Sequence, residues 1–245
     1  DGAGTFVKTI SANSNWISGL TSTSDGRVFA VQYGNSGMEI VEIDTVKDVM
    51  GEVLQGIPDT NSEIRAGQNG TLLVGGYNKL YEYDLNAQEA TEVLDWVESN
   101  ILGNAVRDIS ILADGRLAVF CDDYEGTPEV VFLTKTESSK VPQKKVLTIG
   151  TLYESNSSLQ EAVVNFNKKN TEYALKIKAY IDETAEWTES TYSDALTQIY
   201  ADMAGGNSPD LIDLSMVNLK NMTAKGVLED LTPYLEKSEA ANTDD

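Results

Sequence analysis

Chemistry in this chain has to come from carboxylates, amides, hydroxyls and aromatic rings. Histidine is absent and Cys121 is the single cysteine. That removes Ser-His-Asp and Cys-His nucleophile systems, histidine general bases and histidine zinc sites within the chain. Cys121 sits in an apolar run and has no second cysteine for a disulfide. Carboxylate-pair chemistry survives, because 39 residues are Asp or Glu, and two such groups are what glycoside hydrolysis uses. Asp122, Asp123 and Glu125 form a small acidic cluster. It lacks the alternate-position oxygen spacing of a calcium loop and reads as a solvated turn between strands. No catalytic residue, metal site or cofactor is assigned.

The net charge of −21 argues against a nucleic-acid partner, since no basic stripe exists to displace counterions from phosphates. Its plain consequence is solubility. A hydrophobic fraction of 41% is ordinary for globular protein. No run approaches the ~18 apolar residues of a membrane helix. The residues from Asp1 onward show no charged-then-apolar leader, as in a mature or trimmed chain.

The elements that must position any functional group change character along the chain. Residues 1 to about 135 alternate in short strand-like runs punctuated by Gly, Asp and Asn, whereas strands and helices alternate from about 146 onward. Between them TKTESSKVPQKK (134–145) is polar, apart from Val141 and one proline, and reads as a linker. The domains implied are 1–140 and 144–245.

The first part repeats. SDGRVFAV begins at Ser24, QNGTLLVG at Gln68 and ADGRLAVF at Ala113, which sets Gly26, Gly70 and Gly115 44 and 45 residues apart. Asp-Gly or Asn-Gly ahead of alternating apolar residues signals a tight hairpin, because those residues accept φ > 0. MEIVEID from Met38, KLYEYDL from Lys79 and EVVFLTK from Glu129 follow in turn. GEVLQGI from Gly51 and TEVLDWV from Thr91 supply a further element, and GTFVKTI from Gly4 looks like that element of a preceding unit. A period near 44 with about four short strands resembles β-propeller blades, although the WD dipeptide and the kelch signature are missing. A β-sandwich is the alternative. Three units are fewer than the four blades of the smallest usual propeller, so the spacing predicts further blades upstream or an open arrangement. The Asn-x-Ser/Thr triplets at Asn69, Asn156 and Asn221 are read as chance matches.

In the second part KVLTIGTLY (145–153) is nearly continuous apolar, as a buried parallel strand requires. Ser158 with Glu161 reads as a capping box, and Leu159, Ala162, Val163 and Phe166 fall on one helical face. Asn170 stops that helix. YALKIKAYI (173–181) is the second strand. TYSDALTQIYADMAGG is the second helix, with Leu196, Ile199 and Met203 on one face and Gly205-Gly206 as its stop. PDLIDLS (209–215) is the third strand, a short helix spans about 219–225, and Thr232-Pro233 opens another. The order β-α-β-α-β-α predicts a parallel sheet. KKVLTIG also resembles the repeat-closing GEVLQGI, but the helix directly after it favours the parallel-sheet assignment.

Three phrases in this part, AVVNFNKKN, GGNSPDLIDLS and AKGVLEDLTPYLEK, occur in the order and at the spacing of the N-terminal portion of family 1 extracellular solute-binding proteins. The resemblance covers about residues 144–238. The family more often has proline where this chain has Thr171. The resemblance implies an α/β fold of the periplasmic-binding-protein type, of which this chain carries part of the first lobe. It further implies an ABC-importer component with no enzymatic activity. Such a component captures a small molecule, most often an oligosaccharide, and delivers it to a membrane permease. The location implied is extracellular or periplasmic, as a surface-anchored lipoprotein. The preceding β repeats are outside the usual family pattern. Alternative readings are a β-repeat adhesion or protein-interaction module, and a carboxylate-pair glycosidase.

In open parallel sheets ligands bind beyond the carboxyl ends of the strands. Here those positions are 153–156 and 215–218. Tyr153 offers an aromatic face, Glu154 and Asn156 can bond vicinal hydroxyls, and Ser215 and Asn218 lie after the third strand. Trp187, before the second helix, is a platform from outside the sheet. The plain alternatives are Tyr153 in the core and Glu154 as a solvated acid favoured at a helix start.

Overall fold

The computed structural model describes residues 4–12, 14–34, 37–61, 63–137, 144–182 and 185–235. Short runs joined by tight turns pair with their sequence neighbours, giving three antiparallel sheets whose strand order follows chain order. The first sheet holds β1 (Ile17–Ser22), β2 (Val28–Tyr33), β3 (Met38–Asp44) and β4 (Val49–Val53). The second holds β5 (Ile64–Ala66), β6 (Thr71–Gly75), β7 (Lys79–Asp84) and β8 (Glu89–Asp95). The third holds β9 (Val106–Ile111), β10 (Leu117–Asp122) and β11 (Pro128–Leu133).

The repeat is built from two turn devices. Between the first two strands of each sheet, the N–H of Thr23, Gly67 and Leu112 donates to the carbonyl of Arg27, Thr71 and Arg116. Gly26, Gly70 and Gly115 sit inside these loops at φ of +89°, +83° and +84°, where a Cβ is strained. The three glycines are thus at equivalent turns, as their spacing predicts. The hairpins β3–β4 and β7–β8 instead open on Asp44 and Asp84. Asp44 Oδ1 accepts from the N–H groups of Val46 and Lys47, and Asp84 Oδ1 from those of Asn86 and Ala87. These side chains mimic backbone and hold the turn closed.

Residues 4–10 differ from the expected strand of a preceding unit. They have no regular structure, and Phe6 and Val7 are exposed, because no described strand lies beside them to supply backbone partners. The third sheet has three strands, since KVLTIGT joins a different sheet.

Successive antiparallel sheets share their cores. Phe29, Val31 and Ile40 of the first pack with Ile64, Leu72, Val74 and Tyr83 of the second. The opposite face of the second sheet supplies Leu73 and Leu80, which pack with Trp96, Ile109, Val119 and Cys121. Both faces of β6 are therefore buried, which explains its unbroken apolar run.

The fourth sheet has the order β13-β12-β14, from β12 (Lys145–Thr151), β13 (Tyr173–Ala179) and β14 (Leu211–Ile212). β12 and β14 pair in parallel, Ile149 opposite Leu211. Lys145 N–H donates to Glu172 O and Tyr180 N–H to Thr151 O, so β12 and β13 also run in the same direction. The third strand is shorter than predicted: after Ile212, Asp213 accepts from Ser215 N–H and starts a 3-10 turn, Leu214–Met216. The helices are α1 (Ser157–Lys169), α2 (Glu189–Gly205), α3 (Leu219–Ala224) and α4 (Thr232–Leu235).

The chain divides into two compact units, 1–146 with 154–176, and 147–153 with 177–245. The expected boundary between 140 and 144 falls at 138–143, which lie outside the described residues. Helix α1 belongs to the first unit. Its N-cap is Asn156, whose side chain accepts from Leu159 N–H, in place of the predicted Ser158–Glu161 box. Its buried stripe is Gln160, Val163, Val164 and Asn167, rotated from the predicted apolar face. Two amides are buried because both are bonded. Gln160 Nε2 donates to Asn78 Oδ1 at 2.7 Å, and Asn167 exchanges two hydrogen bonds with the backbone of Leu175. In the second unit α2 is capped by Thr188 and buries Ala195 and Ile199.

Candidate ligand-binding site

Within the second unit, the carboxyl ends of β12 and β14 converge. Asp213 N–H donates to Gly150 O at 2.8 Å, and Thr151 Oγ1 donates to Asp213 Oδ2 at 3.3 Å. A Cβ at Gly150 would lie 2.8 Å from Pro209 Cγ, so the missing side chain permits this close approach. Tyr153 follows β12 and packs with Val217, Met222 and Leu152 in one apolar cluster. Its hydroxyl is buried without a hydrogen-bond partner. The predicted residues Ser215 and Asn218 lie on exposed backbone beside Val217, with the Asn218 carbonyl accepting from Met222 N–H. Trp187 is 64% exposed and is not part of that cluster.

Glu154 and Asn156 fall in the first unit. The Glu154 carbonyl accepts from Gln160 Nε2 at 2.9 Å. Its carboxyl is in hydrogen-bonding contact with Asp95 and in the field of Lys79 and Lys176. Burial raises the Asp95 carboxyl, against the bond it accepts from Glu98 N–H and its contact with Glu154. Asn156 spends its side-chain oxygen on the α1 cap. The six predicted residues therefore divide: Tyr153, Ser215 and Asn218 share one region, Trp187 stands elsewhere in that unit, and Glu154 and Asn156 serve the start of α1.

Among the described residues no cluster of acids and cysteine has the makings of a metal site. Asp123 is used in the turn it begins, accepting from the N–H groups of Glu125 and Thr127, and Asp122 pairs with Arg107. Burial pushes the Cys121 thiol up to about 11, so it is a poor nucleophile.

Two sets of residues were not singled out by sequence reasoning. One is the Thr151–Asp213 link, invisible without knowing that their strands are neighbours. The other lines a cavity of about 1020 Å³ in the first unit, with Trp16, Tyr33 and Tyr77 among its walls. Tyr33 and Tyr77 stand 44 residues apart, the same step as Gly26 and Gly70, and that periodicity was the available signal.

No described helix is long and apolar enough to cross a membrane. No family model and no curated protein matches the chain. Among solved structures, the chain is similar to two of the extracellular domain of BT4673 from B. thetaiotaomicron, described as a one-component system in one and as a hybrid two-component system in the other. The first has a TM-score of 0.32 at 16% identity over 56% of this chain, the second 0.29 at 18% over 52%. The chain spans 24% and 23% of those domains' lengths.

Proposed function

We propose that this chain is part of an extracellular solute-binding component of an ABC importer. In this reading it captures an oligosaccharide without turnover and hands it to a membrane permease, from a surface-anchored or periplasmic position. The antiparallel repeats are propeller-like blades, and the parallel sheet opens a lobe of the periplasmic-binding-protein type. The observation that carries the reading is the convergence of two parallel strand ends at Thr151 and Asp213, beside the buried, unpartnered hydroxyl of Tyr153. Open α/β sheets bind ligands at such ends, and a buried hydroxyl without a partner is costly unless a ligand completes it. The family resemblance of residues 144–238 supports the same class.

Calorimetry with neutral oligosaccharides on the protein carrying this chain tests the proposal. Tyr153→Phe should weaken binding by about fivefold, or ~1 kcal/mol, the value of one neutral hydrogen bond. Tyr153→Ala should weaken it further. Unchanged affinity in both variants would remove the strand-end site.

A further inference from the structure

We propose that the first unit carries a saccharide site of its own, in the cavity at the C-terminal end of β2, with Gln32 and Glu39 as its polar floor and Trp16, Tyr33 and Tyr77 as its aromatic rim. This site is independent of the strand-end site and of the importer reading. The cavity, about 1020 Å³, has room for two or three sugar rings.

The floor points to a ligand that donates hydrogen bonds. Gln32 lines the cavity yet is only 5% exposed. Its Nε2 donates to Glu39 Oε1 at 2.6 Å. A carboxylate only accepts, so the amide nitrogen must face Glu39 and the amide oxygen must face elsewhere. That oxygen, Oε1, has no hydrogen-bond partner. Buried acceptors are ordinarily satisfied; this one is shielded in the free protein, and a ligand hydroxyl satisfies it once the amide turns toward the cavity that Gln32 lines. The Glu39 carboxylate is held against Gly34, where a Cβ would lie 2.1 Å from Oε2, so glycine is needed to leave Glu39 in place.

The rim is fixed by backbone bonds. Tyr33 N–H donates to Trp16 O at 3.3 Å and Ser14 Oγ to Tyr33 O at 2.8 Å, which sets Trp16 and Tyr33 side by side. Tyr77 N–H donates to Asp59 Oδ2 at 2.8 Å. A Cβ at Gly103 would lie 1.9 Å from Tyr77 O, so the backbone there is wedged in position. All three rings are about half exposed: Trp16 48%, Tyr33 61% and Tyr77 51%. Half-exposed rings over buried acceptors suit a pyranose, which presents an apolar C–H face and a belt of hydroxyl donors. The Glu39 carboxylate and the net charge of −21 disfavour an anionic ligand.

The experiment is isothermal titration of this chain with neutral trisaccharides of glucose, galactose, mannose and xylose, beside the amine spermidine. Saturable binding of at least one trisaccharide is expected, about tenfold weaker in Trp16→Ala and in Tyr77→Ala. Gln32→Met, which removes the acceptor, should weaken it as well. The rim variants alter exposed rings and so keep the test valid if the buried Gln32 variant fails to fold. Tyr153→Phe and Trp187→Ala, in the second unit, should leave this binding unchanged. Binding of spermidine alone, or no saturable heat with any trisaccharide, overturns the proposal. So does trisaccharide binding that Trp16→Ala and Tyr77→Ala leave intact. Loss in Tyr153→Phe alone would assign the heat to the strand-end site and overturn this one.

Discussion

The first unit stacks whole sheets, whereas the second surrounds a small cluster with short elements. In the first, both faces of β6 in the middle sheet are buried, and Phe29, Tyr83 and Trp96 are fully enclosed. In the second, the buried cluster is Leu152, Ile181, Ala195, Ile199 and Met222, ringed by half-buried tyrosines. Leu211, Leu219, Leu231 and Tyr234 stay exposed there. A two-residue strand and helices of four to six residues cannot cover large apolar side chains. Repetition thus gives the middle sheet two partners, and the second unit lacks that advantage.

Core truncation should separate the units most sharply. Trp96 is fully buried and its indole N–H donates to Gly76 O at 3.1 Å. Trp96→Ala should destabilise the first unit by about 3–5 kcal/mol, through cavity formation and the loss of the indole hydrogen bond, although Gly76 O keeps Asn61 Nδ2 at 3.3 Å. Ile199→Ala should cost the second unit about 2–4 kcal/mol. Denaturant unfolding followed by hydrogen exchange on β7 and α2 reads the two effects separately. Equal loss of protection in both elements from either variant would mean one shared core.

Helix α1 sharpens the comparison, because its sequence looks like part of the α/β half while its contacts lie with the repeats. Gln160 bonds Asn78, Lys168 pairs with Glu129 at 2.6 Å, and the Lys169 ammonium lies 5.0 Å from the Tyr124 ring centre. Gln160→Leu leaves the amide of Asn78 short of a partner and should cost about 1–3 kcal/mol. The amides of α1 should exchange at the rate of β7 in the wild type and faster than β7 in the variant. Exchange of α1 in step with α2 in both proteins would move the helix to the second unit.

These contacts also explain what sequence could reveal. The repeat was legible because turn chemistry is local: an Asp-Gly or Asn-Gly pair needs only its own backbone to demand φ > 0. The C-terminal stops of both long helices, at Asn170 and Gly206, were legible for the same reason, whereas their N-caps, Asn156 and Thr188, were not the residues expected. The face of α1 was not legible either. Gln160 and Asn167 look like surface residues, and only Asn78 and the backbone of Leu175, brought close by folding, allow them inside. The candidate site divided along the same line. Tyr153, read as the last residue of a strand 145–153, lies beyond a strand that ends at Thr151, and whether Glu154 would turn toward a ligand or toward Asp95 depends on a sheet whose residues lie far away in sequence.

A smaller effect tests the repeat at its turns. Gly115→Ala forces a Cβ into φ of +84° and should cost the first unit about 1–2 kcal/mol, although no atom lies within 4 Å of the added Cβ. Gly205→Ala, also in open space but helical, should instead leave the second unit as stable or slightly more so. Thermal unfolding of the two variants beside wild type reads both signs. A neutral Gly115→Ala would mean that the loop relaxes out of the left-handed region.

The smallest expected effect is electrostatic and belongs to the second unit. Asp202 accepts from Lys178 Nζ at 2.6 Å, from Gln198 Nε2 at 2.8 Å and from the Tyr180 hydroxyl at 3.0 Å. The Lys178 bond above all, then those of Gln198 and Tyr180, holds its carboxyl below the usual value of 3.8. A group whose folded pKa is depressed contributes stability above its unfolded pKa and loses it as pH falls through the folded value. The same bond raises Lys178 above 10.5, so its contribution is lost at the other end, as pH rises through the raised value. Asp202→Asn should therefore weaken α2 protection at neutral pH and flatten its decline as pH falls below about 5, through 3.8 and on toward the depressed folded value. Asp210, held low by Thr148, keeps part of that acid dependence in the variant. Because the pair is partly exposed, salt should shrink the difference. Parallel pH profiles for wild type and Asp202→Asn, unaffected by salt, would show that the Lys178–Asp202 link does nothing for the second unit in solution.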